Sequence, residues 1–228
     1  MSVWRIKLSL FLTYFVFAIL LNSVGTVILQ VIKNYDLMHQ SASVLEAFKD
    51  LPIAIVSFLL ASFLPRFGFR KSMMLGLAIV TGACLSMPLL PSFLTTKLLF
   101  LATGVSFALV KVSVYSTVGL VTNSPKEHAS FMNILEGVFM TGVLLGYAMF
   151  SYFVEDGVAK SQTWLDVYWV LAVMTVLAIL LLYITPFDES EAVHKGNSLS
   201  DDFLDMLKLV IKPLGYVFAL CVFLSVLI

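Results

Sequence analysis

Leu45-Glu46-Ala47-Phe48-Lys49-Asp50-Leu51-Pro52 places three charges and a proline inside a run, 42–64, that is otherwise apolar enough to be a membrane helix. Two further charges, Lys111 and Glu136, lie inside other apolar runs. A charge at bilayer depth costs at least ~2.5 kcal/mol on insertion scales. A chain keeps such residues where they face a protein interior or a wet cavity, so these five charges bear on both the fold and the function.

The rest of the chain supplies the frame. Its 228 residues are 60% hydrophobic and 12% charged, with a mean hydropathy of +1.00. Soluble domains carry about 25% charged residues, so the class is all-α integral membrane protein. A formal net charge of zero gives no sign of a nucleic-acid partner. Cys84 and Cys221 both fall in apolar runs and read as small hydrophobes rather than a disulfide or metal pair. A helix crossing the ~30 Å core needs about 20 apolar residues. Six runs meet this: 8–31, 42–64, 72–91, 97–121, 129–154 and 164–185; a seventh begins near Lys212 and is still apolar at Ile228. The first run is too long for a signal-peptide core of ~7–15 residues and reads as a retained helix. Backbone groups in lipid must pair within their own segment, and nothing alternates with strand period, so the runs are expected to be helices.

Orientation follows the basic residues. With the N-terminus in the cytoplasm, the inner side holds nine: Arg5, Lys7, Arg66, Arg70, Lys71, Lys126, Lys195, Lys208 and Lys212. The outer side holds three, Lys33, Lys97 and Lys160.

The buried charges are distributed unevenly. Runs three and six have none between Ser72 and Pro91 or between Val167 and Thr185, whereas runs two, four and five hold all five. Run one adds Asn22, Thr26 and Gln30. Helices one, two, four and five therefore read as the lining of a polar interior, and three and six as lipid-facing or structural. Glu46, Lys49 and Asp50 are related as i, i+3 and i+4 and share one helix face. Pro52 permits a kink there. Lys111 falls near mid-membrane with Tyr115 one turn on, and Asn133 shares a face with Glu136. In depth from the outside the order is Glu46, Lys49/Asp50, Lys111, Glu136, a ladder of alternating sign. Ion pairs that only orient helices remain the competing reading, above all for Glu46–Lys49.

Residues 187–211 form the longest polar stretch. Asp188, Glu189, Glu191 and His194 give way to Phe203, Leu204, Leu207 and Val210/Ile211 at helical spacing, with Ser200 placed to cap. An interfacial helix and a plain solvated connector both fit. The expected domains are thus a six-helix bundle over 1–186, a cytoplasmic linker over 187–211 and the start of a second bundle over 212–228.

The loop after run two reads Ala61-Ser62-Phe63-Leu64-Pro65-Arg66-Phe67-Gly68-Phe69-Arg70-Lys71. It resembles the signature loop of the major facilitator superfamily, G-x-L-x-D-R-x-G-R-[RK], at Arg66, Gly68, Arg70 and Lys71. The leading glycine is Ala61 here and the acidic position is Pro65, so the latch that acid makes in the family is absent or built differently. The layout of six helices, a cytoplasmic linker and a new span is also similar to that superfamily, whose two halves enclose a central cavity. The resemblance implies a cavity lined by helices one, two, four and five. It also implies a chain about twice this length, or two halves that assemble. A narrower stretch, Leu20-Leu21-Asn22-Ser23 with Val112–Gly119, looks like the fucose/glucose:proton symporter branch, but that branch's acids are Ser23 and Lys111 here. A deep lysine favours a substrate with a carboxylate or phosphate over a neutral sugar. Gly142-x-x-x-Gly146 reads as a close-packing surface; the superfamily's antiporter-type motif places a Gly-Pro pair in this span, and the absence of proline between Pro125 and Pro186 means the resemblance implies symport or uniport rather than drug antiport.

No H-E-x-x-H metal motif and no phosphate-cradling glycine loop occur, so no enzyme activity, metal or cofactor is expected. The expected function is secondary active transport of a small polar, anionic solute by proton symport in a bacterial inner (plasma) membrane. The expected substrate contacts are Lys111, Asn22, Tyr115 and Asn133. Asp50 and Glu136 are the coupling candidates, with Glu46 and Lys49 at an outer gate. The alternative is a non-transporting membrane protein, an assembly factor or receptor, whose charges are structural pairs.

Overall fold

The computed structural model describes residues 3–36, 39–154, 161–187, 189 and 208. The described elements are helices: α1 (Val3–Asn22), α2 (Val24–Tyr35), α3 (His39–Phe67), α4 (Phe69–Leu89), α5 (Phe93–Leu120), α6 (Pro125–Phe153), a short 3-10 turn (Thr163–Asp166) and α7 (Val167–Ile184). Five of the spans are long and apolar enough to cross a membrane: α1, α4, α5, α6, and α7 with its 3-10 turn. At 29 residues α3 is also longer than a bilayer requires, but it carries the three charges of the opening stretch. Most of the linker and the seventh span lie outside the described residues.

The first run is two helices rather than one. Asn22 Nδ2 donates to the Ala18 carbonyl at 2.9 Å and Ser23 Oγ to the Leu20 carbonyl at 2.8 Å. Side chains that bond back into the preceding turn compete with the helix ladder and bend it. α3, by contrast, runs through Pro52 without interruption. α5 and α6 begin before their apolar runs because polar residues cap them. Ser92 Oγ accepts the Thr95 N–H at 3.1 Å. Ser124 Oγ accepts the Glu127 N–H at 3.2 Å while Glu127 Oε2 accepts the Asn123 N–H at 3.0 Å, close to a capping box with Pro125 in the first turn.

Packing pairs helices across the bundle. α1 lies along α6, α3 along α5, and α4 against both α5 and α7. This crossing of the first three spans with the last three is what a three-plus-three repeat produces. The closest approaches occur at small residues. A β-carbon at Gly142 would lie 2.7 Å from Ala18 Cβ and 2.9 Å from the Phe15 carbonyl, and one at Gly146 would lie 3.3 Å from Ile19 Cα. A β-carbon at Gly104 would run into the Lys49 carbonyl. Gly142 and Gly146 thus perform the packing role read from their spacing. The buried residues of α6, Phe131, Leu135, Gly142, Gly146 and Phe150, form one stripe facing α1. Its other side, including Ile134, Met140, Leu144 and Tyr147, is exposed. α4 and α7 are joined by a Thr81–Thr175 hydroxyl hydrogen bond of 2.8 Å, and α7 exposes Val173, Leu177 and Leu180.

Candidate functional site

The signature-like loop turns tightly because Gly68 takes φ +97°, a left-handed value that a side chain resists. Arg70 then ties the start of α4 to the end of α7: its Nε donates to the Leu182 carbonyl at 2.9 Å and a terminal nitrogen donates to the Tyr183 carbonyl. These are carbonyls that a helix C-terminus leaves unpaired. The Glu189 carboxylate accepts the Arg70 backbone N–H at 2.6 Å, an anion at a helix N-terminus. An acid from beyond α7 thus stands beside the loop, at the N-terminus of α4. Lys71 is exposed.

Of the charges of α3, Lys49 turns inward, where it lines a small cavity with Ser23, Thr103 and Tyr168, while Glu46 and Asp50 face outward. Lys49 pairs with its neighbour Asp50 at 3.2 Å, and Asp50 is 62% exposed. Glu46 is exposed, and among the described residues Lys49 makes its ion pair with Asp50 rather than with it. The Glu46–Lys49 pairing considered from helix spacing is thus replaced by Lys49–Asp50. Asn22 is engaged in the α1 bend, and Asn133 is exposed on α6.

Three other residues come together. The Tyr115 hydroxyl of α5 donates to Glu136 Oε1 of α6 at 2.6 Å. The Tyr14 hydroxyl of α1 lies 2.9 Å from the Tyr115 hydroxyl and 3.2 Å from the same Oε1. Tyr14 is 2% exposed, and its ring packs against Phe139 (centroids 4.8 Å apart) and Phe107 (6.3 Å). On the other side of this aromatic group, Lys111 Nζ sits 5.6 Å from the Phe107 ring centre and 5.7 Å from that of Tyr115. Cation–π attraction of about 0.5–2 kcal/mol holds it there. Among the described residues no carboxylate lies within 4.0 Å of it. Lys111 is nine residues before the Leu120 end of α5, about 14 Å along the axis. The centre is therefore an ammonium and a carboxylate separated by aromatic rings, built from α1, α5 and α6. Neither α4 nor α7 contributes a side chain to it.

Tyr14 was not among the residues read from the sequence. A tyrosine inside an apolar helix reads as packing, and its two partners are 101 and 122 positions away. Chemically, such a centre can bind an anion at the lysine and take up or release a proton at the carboxyl group.

A family model described as Major Facilitator Superfamily matches residues 10–228. The chain belongs to that superfamily. It is a multi-pass membrane protein with this superfamily's helical fold. A crystal structure of a D-xylose-proton symporter matches with a TM-score of 0.63 at 13% identity, over 94% of this chain and 54% of that one. At that identity the likeness is one of fold, and the chain spans about half the length of that symporter. No curated protein matches the chain by sequence.

Proposed function

We propose that this facilitator-superfamily chain is the half of a secondary transporter that carries its charged centre. It moves a small polar anion by alternating access, with proton symport, across a bacterial plasma membrane, its N-terminus in the cytoplasm. The observation that carries this is Lys111: an ammonium about 14 Å inside a membrane helix, held by rings and given no carboxylate partner by the described residues. A charge that costs ~2.5 kcal/mol or more to insert is retained for a ligand that supplies the missing anion. Glu136 is the proton carrier, Tyr115 bridges the two, and Asn133 and Asn22 contact substrate from the exposed side of α6 and the bend of α1. Glu46, Lys49 and Asp50 shape the outer gate. The exposed sides of α3 and α6 meet the second half of the transporter.

The structural-pair reading has support at the periphery. Lys7–Glu127 at 3.5 Å joins α1 to α6 and can serve helix placement alone, and Lys49–Asp50 at 3.2 Å is a local pair within α3. It does not account for Lys111.

Thermal-shift measurements on the full-length protein in detergent test the substrate class. A ligand at 100 times its Kd stabilises by about 2.7 kcal/mol. Sugar acids, small monocarboxylates and sugar phosphates are expected to include compounds that raise the melting temperature, while uncharged pentoses and hexoses leave it unchanged. Stabilisation by neutral sugars alone would replace the anion by a neutral substrate.

A further inference from the structure

We infer that Tyr14 is a positioning residue for Glu136. Its hydroxyl and that of Tyr115 engage Oε1 of the carboxylate and leave Oε2 as the atom that takes the proton. This rests on the proton-coupled reading above and adds a residue and an atom to it.

Hydrogen counting supports the assignment. Each phenol has one hydrogen to give. Tyr115 gives its hydrogen to Oε1 at 2.6 Å. Tyr14 gives its own either to Oε1 at 3.2 Å or to the Tyr115 oxygen at 2.9 Å, which polarises the shorter bond. Both hydrogens are satisfied when Glu136 is ionised. Oε2 accepts no hydrogen bond among the described residues, and Glu136 is only partly buried. Oε2 is therefore the open acceptor, and proton uptake there weakens the charge-assisted bonds at Oε1. Because Tyr14 stands on α1 and its partners on α5 and α6, that weakening loosens α1 from the other two helices. This is a physical route from proton occupancy to helix movement.

Few other charged groups face the carboxylate. α5 presents Tyr115 and, across its ring, Lys111. From α1 there is Tyr14; Lys7, which lines a cleft with Lys126 at the start of α6, is paired with Glu127 nine residues before Glu136. The α7 tyrosine nearest α6, Tyr168, packs on Phe150, about 21 Å along α6 from Glu136.

Tyr14→Phe in the full-length protein tests this, because it keeps the ring against Phe107 and Phe139 and removes only the hydroxyl. Uptake of the anion found by thermal shift would be followed in proteoliposomes across external pH. Removing a donor from the carboxylate weakens the charge-assisted network that proton uptake at Oε2 has to break. Half-maximal uptake in Tyr14→Phe is expected at higher pH than in wild type, displaced by roughly half a unit to one unit. Tyr115→Phe, which loses the shorter bond, is expected to be displaced further. The melting temperature of Tyr14→Phe should fall by no more than a few degrees, as expected for one lost hydrogen bond. Superimposable pH profiles for wild type and both variants would overturn the role of the phenols. Wild-type uptake indifferent to pH would instead overturn the proton-coupled reading on which this inference stands.

Discussion

Lys111→Met is expected to abolish high-affinity binding of the anionic solute while leaving the protein as stable as wild type, or more so. A hydrogen bond to a charged group contributes about 1.5–3 kcal/mol, or roughly ten- to 150-fold in Kd. Methionine matches the lysine stem in length and removes only the charge. The sign of the stability change separates a functional role from a structural one. A lysine that held helices together through an ion pair would leave a buried partner unpaired on removal, which costs 3–5 kcal/mol. Lys111 has no such partner among the described residues. Its loss removes a cation–π contact of about 0.5–2 kcal/mol and relieves an insertion cost of ~2.5 kcal/mol. Isothermal titration on purified full-length protein, with melting curves in parallel, reads both quantities. Unchanged affinity, or a large fall in melting temperature, would remove Lys111 from the binding site.

The second large effect is on coupling. Glu136→Gln keeps an acceptor oxygen for Tyr115 and Tyr14 but cannot take up a proton. A pH gradient of one unit carries about 1.4 kcal/mol, enough for roughly tenfold accumulation at one proton per solute. In Glu136→Gln that accumulation is expected to fall to equal concentrations on both sides, while exchange of labelled for unlabelled solute persists. Proteoliposomes with an imposed gradient provide the measurement. Tenfold accumulation in the variant would move the proton site elsewhere, and loss of exchange together with accumulation would make Glu136 a structural residue.

Much of this was legible in the sequence, for physical reasons that also mark where legibility ends. Run length and apolarity determine helices in lipid, because the backbone has no other partner there. The uneven placement of charges set α4 and α7 apart from α5 and α6 of the centre but also counted in α3, which gives the centre no side chain. Gly142 and Gly146 were readable because small residues four apart make one strip of a helix. The bend at Ser23 was not, because it depends on whether Asn22 and Ser23 turn back onto their own carbonyls. Helix geometry put Glu46, Lys49 and Asp50 on one face but did not fix which acid the long lysine side chain would reach. Glu136 and Tyr115 were candidates in separate helices, and nothing local joined them. Their meeting depends on how α1 settles between α5 and α6, which is also why Tyr14 looked like an ordinary core aromatic. Glu189 comes to stand beside the loop by the same kind of long-range placement.

The most direct measurement is solute entry into proteoliposomes of the full-length wild-type protein with the outside made acidic. An anionic solute is expected to accumulate against its gradient, with collapse by a protonophore and with protons entering alongside it. Accumulation that ignores the pH gradient, or transport confined to uncharged solutes, would contradict the account of Lys111 and Glu136 as the anion and proton sites.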